Sequence, residues 1–159
     1  IKKMINIDVV LECKLWSKQI KKPHIFFNTL VQAFPKKYRF IKKKVSLTIL
    51  LSNNQNIKKL NKKFRNKNKV TDVLSFPSEI KLNIKKSPYI GDIVISYEFM
   101  NKPKAPSSLE FKNKVTKIFI HGFLHLLGYD HIKLEGFKNM LIEEEKIYNT
   151  IETKIAKLV

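Results

Sequence analysis

Three of the four histidines in this 159-residue chain lie within eleven residues, in the segment H-G-F-L-H-L-L-G-Y-D-H from His121 to His131. Residues four apart share one face of an α-helix, so His121 and His125 can offer two imidazoles to one metal ion. A continuous helix would carry His131 about 15 Å beyond His121 and off that face. Gly128 resolves this conflict, because glycine readily adopts the left-handed conformation that ends a helix. The segment therefore predicts a helix that ends beside a three-histidine metal site.

The ligand set indicates which metal the site would hold. Three neutral imidazoles without a thiolate suit zinc best, and we expect one ion per chain. Three protein ligands leave a fourth position open, which is typical of catalytic rather than structural zinc sites. Asp130 has two interpretations, as a residue that orients an imidazole or as a turn residue. Cys13 is a conceivable fourth ligand, although a single distant cysteine is more often a small core residue.

A related spacing occurs in zinc proteases with the motif H-E-x-x-H-x-x-G-x-x-H. In those enzymes the glutamate after the first histidine is the general base, whereas this chain has Gly122 at that position. A zinc metallopeptidase is therefore the less favoured alternative. We expect Gly122 instead to leave space for a bulky substrate beside the metal.

The positive net charge of the chain has two explanations, binding of a polyanion or the base composition of the genome. Its 32 basic and 13 acidic residues give a formal net charge of +19, which would attract RNA or DNA. Thirty of the basic residues are lysines, and a chain rich in Lys, Asn and Ile is also what an AT-rich genome encodes. Both explanations stay open. Arg39 and Arg65 are the two arginines. Each has a planar guanidinium, which can bind phosphate or carboxylate in a bidentate manner.

The apolar pattern predicts strands and helices in alternation, hence one sheet with helices packed on it in a single α/β or α+β domain over residues 1–159. No signal peptide or membrane span is expected, and the single cysteine indicates a reducing, cytoplasmic setting. Strands are predicted over 4–11, 45–51, 73–76 and 90–96, with a polar connection over 78–89. Helices are predicted within 15–34, where Pro23 should start a helix, and after an N-cap at Ser52 or Asn53. Two more are predicted, one that opens at 106–108 and runs to about 127, and one over 133–155.

These motifs resemble the YbeY family of metal-dependent, single-strand-specific endoribonucleases. The family's pattern H-G-x-L-H-L-x-G-Y-D-H is matched at every fixed position from His121 to His131. The first forty residues match only in general character, and Ser52-Asn53-Asn54 replaces a turn that is usually acidic. Further matches are L-N-x-x-x-R from Leu60 to Arg65, T-D-V-L-S-F-P from Thr71 to Pro77, G-D-I-V-I-S from Gly91 to Ser96, and Glu135, Met140 and Glu144.

The resemblance implies a mixed four-stranded sheet packed by helices and a zinc site of His121, His125 and His131 at the end of a long helix. It also implies a role in maturing the 3′ end of 16S ribosomal RNA and in ribosome quality control. The expected partners are ribosomal RNA, the small ribosomal subunit and ribosome-associated proteins, while the oligomeric state is left open. A second alternative is a non-catalytic ribosome-assembly factor, which would need a closed, four-ligand structural zinc site.

Four other predictions concern single residues or short segments. Arg65 is predicted to clamp the scissile phosphate, and the alternative is a surface arginine paired with a carboxylate. Thr71 and Asp72 are predicted to cap a turn and pin a strand. The triplet 143–145 is predicted to form a solvated helix face, of which one glutamate could border the site. His24 is expected at the surface, away from the cluster.

Overall fold

A computed structural model describes residues 4–40, 43–78 and 88–158, and its secondary structure follows the predicted alternation. Most of the connection predicted over 78–89 lies outside the described residues. The strands are β1 (Ile5–Leu11), β2 (Val45–Ser52), β3 (Val73–Pro77) and β4 (Tyr89–Ser96). The helices are α1 (Trp16–Gln19), α2 (Pro23–Gln32), α3 (Asn54–Arg65), α4 (Tyr97–Met100), α5 (Ser108–Leu126) and α6 (Leu134–Ile155), with a 3₁₀ turn at Lys36–Tyr38.

The four strands form one mixed sheet in the order β1-β2-β4-β3. Strands β1, β2 and β4 run parallel to one another, whereas β3 is antiparallel to β4 and lies at the edge. This confirms the predicted α+β class with a mixed four-stranded sheet. An edge strand has one row of backbone groups without a strand partner, so other groups can bond to it.

The two faces of the sheet carry cores of unequal size. Side chains alternate along the strands, and the larger core lies where residues such as Leu47 pack with Phe119 and with the apolar sides of α1, α2, α5 and α6. Helix α3 packs on the other face, where Ile57 meets Leu74 and Val94 in a separate small cluster. Helices α3 and α5 therefore flank the β3 edge from opposite sides.

Local sequence signals, one proline and two side-chain caps, explain where three of the helices begin. Pro23 starts α2, a position at which proline loses no helical hydrogen bond. The Asn53 side chain accepts a hydrogen bond of 2.9 Å from the backbone N–H of Asn56, which selects Asn53 rather than Ser52 as the cap of α3. Ser107 caps α5 in the same way by accepting from the N–H of Glu110.

Gly122 sets the distance between α5 and the sheet. A Cβ atom at this position would lie 3.1 Å from both Ile93 Cγ2 and Ser75 Oγ. The Ser75 hydroxyl donates a hydrogen bond of 3.1 Å to the carbonyl oxygen of Gly122. The expectation that Gly122 leaves room for substrate was therefore wrong, because this residue is buried against β3 and β4.

Gly91→Ala should lower the free energy of unfolding by about 3 kcal/mol or more, because backbone strain and a steric clash add at this site. Gly91 has a φ of +139°, and an added Cβ would lie 2.3 Å from the backbone oxygen of Phe76. That oxygen belongs to the paired strand and cannot rotate away. Urea unfolding measures the change.

Gly128→Ala is the matched control for Gly91→Ala. Gly128 also has a positive φ, of +97°, but an added Cβ would meet no atom within 4 Å. This variant should therefore lose only the conformational term, about 1–2 kcal/mol. Equal losses in the two variants would show that the clash at Gly91 contributes nothing.

Candidate metal centre

The end of α5 brings His121, His125 and His131 together. One ligand nitrogen from each of the three rings lies within 4.8 Å of the others. The helix ends as predicted at Gly128, whose φ is +97° and whose N–H donates to the carbonyl oxygen of His125. In the described ranges 4–40, 43–78 and 88–158, this is the cluster of potential ligands that could hold a metal ion.

The two histidines of α5 face each other through their Nε2 atoms, which lie 3.1 Å apart. The Nδ1 atom of His121 lies 2.7 Å from Glu144 Oε1, and that of His125 lies 2.9 Å from the carbonyl oxygen of Tyr129. Carbonyl and carboxylate oxygens accept hydrogen bonds, so each Nδ1 carries the proton and each Nε2 of a neutral ring presents a lone pair. At this distance the two Nε2 atoms share a cation, either a proton in a hydrogen bond between the rings or a metal ion bound by both.

His125 is in the neutral state that a metal ligand requires. Burial lowers the pKa of His125 below its ordinary value, and repulsion by a protonated His121 or His131 would lower it further. The ring is therefore neutral at pH 7 and available as a ligand. Two nitrogens bound to one tetrahedral zinc ion at about 2.0–2.1 Å lie about 3.3 Å apart, close to the separation of these two Nε2 atoms. The residues thus fit a zinc ion.

The groups that orient the histidines differ from the candidate named by sequence. The Asp130 side chain accepts from the N–H of Ile132 at 2.8 Å, which is the turn interpretation of this residue. Orientation comes instead from Glu144 and from the Tyr129 carbonyl. Glu144 is the glutamate that borders the site. The solvated-face prediction was wrong for Glu143 and Glu144, which are half-buried, and right for the exposed Glu145.

A second cluster ties the histidine turn to α6. The Tyr38 hydroxyl donates to Glu143 and lies 3.2 Å from the Tyr129 hydroxyl, while Lys37 Nζ lies 3.4 Å from Glu143 Oε1. The hydrogen bond from Tyr38 lowers the pKa of Glu143, with Lys37 adding to the effect, and burial raises the pKa of Tyr38. Because the Tyr129 backbone also bonds to His125, this cluster fixes the turn that carries His131.

Two other residues considered from sequence lie elsewhere. Cys13 is half-buried and packs against the main core, as expected of a small core residue. His24 is exposed on α2, as predicted. Neither belongs to the histidine cluster.

A cleft of about 700 Å³ joins the three histidines to Arg65, the last residue of α3. The Arg65 guanidinium donates to the backbone oxygen of Ser75 at 2.6 Å and lies 5.6 Å from the centre of the Phe76 ring. These contacts fix the guanidinium on the edge strand β3. A guanidinium has five N–H donors, so one bond to Ser75 leaves capacity for an anion in the cleft. Lys67 and Lys69 line the same cleft and add positive charge.

Thr71 and Asp72 shape the wall of this cleft. The Asp72 carboxylate accepts from the N–H of Val73 at 2.7 Å and from the Thr71 hydroxyl at 3.2 Å. The Asp72 carbonyl oxygen accepts from the N–H of Ser96, which joins the start of β3 to the end of β4. The prediction that these residues pin the strand is confirmed, and their contacts lie at a bend that leads into β3.

Comparisons with known proteins identify relatives of this chain. The family model described as "Endoribonuclease YbeY" matches residues 11–152. The Endoribonuclease YbeY of Pelagibacter ubique (strain HTCC1062) is 72% identical over 153 residues, which cover 96% of this chain and all of that protein. The one from Ehrlichia ruminantium (strain Gardel) is 34% identical, over 91% of this chain and 99% of that protein. The solution structure of TM1509 from Thermotoga maritima is 23% identical, with a TM-score of 0.49 over 93% of each chain.

Among the described residues, no helix combines the length and the apolar character that crossing a membrane requires.

Proposed function

This chain belongs to the YbeY family of metal-dependent endoribonucleases, and we propose that it holds one zinc ion through His121, His125 and His131. The observation that carries the proposal is the pair of Nε2 atoms 3.1 Å apart, each on a ring whose Nδ1 is already bonded to an oxygen. When bound, zinc supplies Lewis acidity toward a water molecule or a phosphoryl oxygen. Three protein ligands are the number that catalytic zinc sites use.

The remaining residues of the cleft position the substrate. Arg65 binds the scissile phosphate, because its guanidinium is held on β3 within the cleft that also holds the histidines. A charge-assisted contact of this kind strengthens as negative charge develops on the phosphate oxygens. Lys67 and Lys69 neutralise flanking phosphates of the same strand. Glu144 and the Tyr129 carbonyl keep the two α5 imidazoles in one tautomer and orientation.

The substrate we propose is single-stranded RNA, and specifically the 3′ end of 16S ribosomal RNA during maturation and ribosome quality control. Family membership and the cationic cleft support an RNA substrate. The small ribosomal subunit and ribosome-associated proteins are the partners that this role requires. We further propose that residues 1–159 act as one domain in the cytoplasm.

Among the residues that the structure describes, the carboxylates beside the histidine ligands do not take the position that a zinc peptidase requires. Glu144 is bonded to His121 Nδ1, and Asp130 is bonded within the turn, so both carboxylates already have partners. A general base of the zinc-protease type would have to face a water molecule in the open ligand position. Neither residue is placed for that role.

The test of the proposed function compares cleavage of matched single-stranded and double-stranded RNA, with and without a chelator. The zinc-loaded protein should cut the single strand and leave the duplex intact. Removing the metal should abolish cleavage, and adding zinc back should restore it. Cleavage that continues at full rate after verified zinc removal would exclude the zinc mechanism, and equal cutting of the two substrates would exclude single-strand specificity.

Glu144→Ala should weaken zinc binding roughly 10- to 100-fold, the usual effect of losing a group that orients a metal-bound histidine. The carboxylate accepts the Nδ1 proton of His121 at 2.7 Å, so its loss frees that ring to rotate. Glu144→Gln should lose less, because its amide oxygen can still accept this proton. The measurement is a competition titration with a chromophoric chelator.

Glu145→Ala is the matched control, since it removes an exposed carboxylate from the neighbouring position of α6. It should bind zinc as tightly as the wild type. If Glu144→Ala and Glu145→Ala have the same zinc affinity, Glu144 does not orient His121.

A further inference from the structure

A second cleft, of about 580 Å³, lies on the other side of the edge strand β3 from the histidines. Side chains alternate along this strand, so Ser75 contacts α5 whereas Phe76 packs beside the α3 cluster. Arg65 and Pro77 line both clefts. The two clefts therefore adjoin at the edge of the sheet, and Arg65 lies between them.

Phe64 presents an aromatic face in this second cleft. Its side chain is 57% exposed, yet the ring is held edge-on against Phe76 with centroids 5.4 Å apart. Lys63 Nζ lies 5.2 Å from the centre of the same ring. Single exposed apolar residues are common on protein surfaces. Phe64 differs from them in three respects. Its ring packs against Phe76, the Lys63 ammonium lies over it, and it lines a cleft that Arg65 also lines.

The charge of α3 favours a nucleic acid in this cleft. The helix contains four lysines and one arginine in twelve residues, without a carboxylate. Proteins bind single strands by combining cations along the phosphates with aromatic rings on which the bases stack. Helix α3 offers this combination in consecutive residues, Lys63, Phe64 and Arg65.

The interior of the second cleft offers a hydrogen-bond acceptor and apolar side chains to a base. Asp92 lines it, and its carboxylate accepts a hydrogen bond from the Tyr89 hydroxyl. A carboxylate accepts hydrogen bonds from the exocyclic amino groups of bases. The phosphates of a bound strand would therefore stay near the cations of α3 while a base enters the cleft.

We propose that this second cleft is a nucleobase subsite, in which one base of a single-stranded RNA stacks on Phe64 while the strand crosses β3 past Arg65 toward the histidines. The inference rests on the proposed function, because the occupant is the RNA that is cleaved. Bases of a duplex are already paired and stacked, so a duplex cannot offer one to Phe64 without opening. The subsite thus supplies a physical reason for cutting single strands.

The experiment measures binding of a short, unstructured single-stranded RNA by fluorescence anisotropy, with chelator present to prevent cleavage. Phe64→Ala should bind about tenfold more weakly than the wild type, within the range for loss of one stacked base. Phe64→Leu keeps an apolar side chain against Phe76 without an aromatic face and should show the same loss. Phe64→Trp should bind like the wild type. The control is Phe99→Ala, which removes an exposed phenylalanine of α4 that lines neither cleft.

A set of RNAs with one abasic nucleotide at successive positions identifies the stacked base. One abasic position should weaken binding to the wild type about as much as Phe64→Ala does, and should not weaken that variant further. If Phe64→Ala and Phe64→Leu bind the RNA like Phe99→Ala, or if every abasic RNA loses affinity equally for Phe64→Ala and the wild type, the subsite is wrong. Wild-type protein that binds and cleaves RNA in those cases leaves the proposed function intact. Wild-type protein that does neither overturns the proposed function and the subsite with it.

Discussion

His125→Ala should hold well under one zinc ion per chain and should cleave RNA no faster than the wild type treated with a chelator. This change removes one of the two Nε2 atoms that face each other at 3.1 Å, and the remaining pair cannot complete a three-ligand site. His121→Ala and His131→Ala should behave in the same way. Elemental analysis of the purified proteins and single-turnover cleavage measure the two effects.

A readout that does not depend on cleavage separates loss of metal from loss of fold. Because zinc binds the folded state, added zinc should raise the unfolding temperature of the wild type but not of the three variants. His24→Ala removes an exposed histidine of α2 and should respond to zinc like the wild type. Full zinc retention in all three cluster variants would show that the metal lies elsewhere.

The convergence of the histidines could be predicted because it depends on local geometry. A helix places His121 and His125 on one face, and Gly128 ends that helix at the point where the chain must turn. An N-cap at Ser52 or Asn53 and the start of α2 at Pro23 were predictable for the same reason, and the structure selects Asn53. Each depends on a few neighbouring residues rather than on the packing of distant ones.

The groups that orient the histidines could not be predicted in this way. Glu144 lies on α6, 23 residues after His121. Its helical spacing from the buried Met140 and Ile147 places it on the inner face of α6, but that spacing does not tell that this face meets His121. The partner of His125 is a backbone oxygen, which every residue possesses. Gly122 was misinterpreted because spacing alone does not tell which side of α5 meets the sheet. These features depend on how α5, α6 and β3 pack together.

The position of Arg65 also depends on tertiary structure. From the residues alone one sheet was predicted, whereas the mixed pairing that places β3 at its edge came from the family resemblance. The order of the strands puts α3 and α5 on opposite faces of that edge, so that Arg65 reaches the histidine cleft from the other side. A residue 56 positions before His121 in sequence thereby shares its cleft.

Arg65→Ala should keep the fold and the zinc ion but lose most RNA cleavage. Loss of one charge-assisted contact to a transition state costs about 3 kcal/mol, or on the order of 10² to 10³ in rate. The fold should survive because the side chain is exposed and its partner, the Ser75 carbonyl, can bond to water instead. Arg65→Lys should recover only part of the rate, since an ammonium gives charge without the two-pronged geometry.

The control for Arg65 must remove the same charge from the same helix. Lys58→Ala does so at an exposed position of α3 that lines neither cleft, so its single-turnover rate should stay near that of the wild type. Zinc content is measured on the wild type and on the Arg65→Ala, Arg65→Lys and Lys58→Ala variants.

Loss of zinc in Arg65→Ala would assign the arginine a structural role, because the guanidinium would then be needed to hold β3 against α5. Undiminished cleavage with zinc retained would place the phosphate on another cation of the cleft, for which Lys67 and Lys69 are the candidates. A rate loss shared equally by Arg65→Ala and Lys58→Ala would mean that α3 acts through its overall charge rather than through one guanidinium.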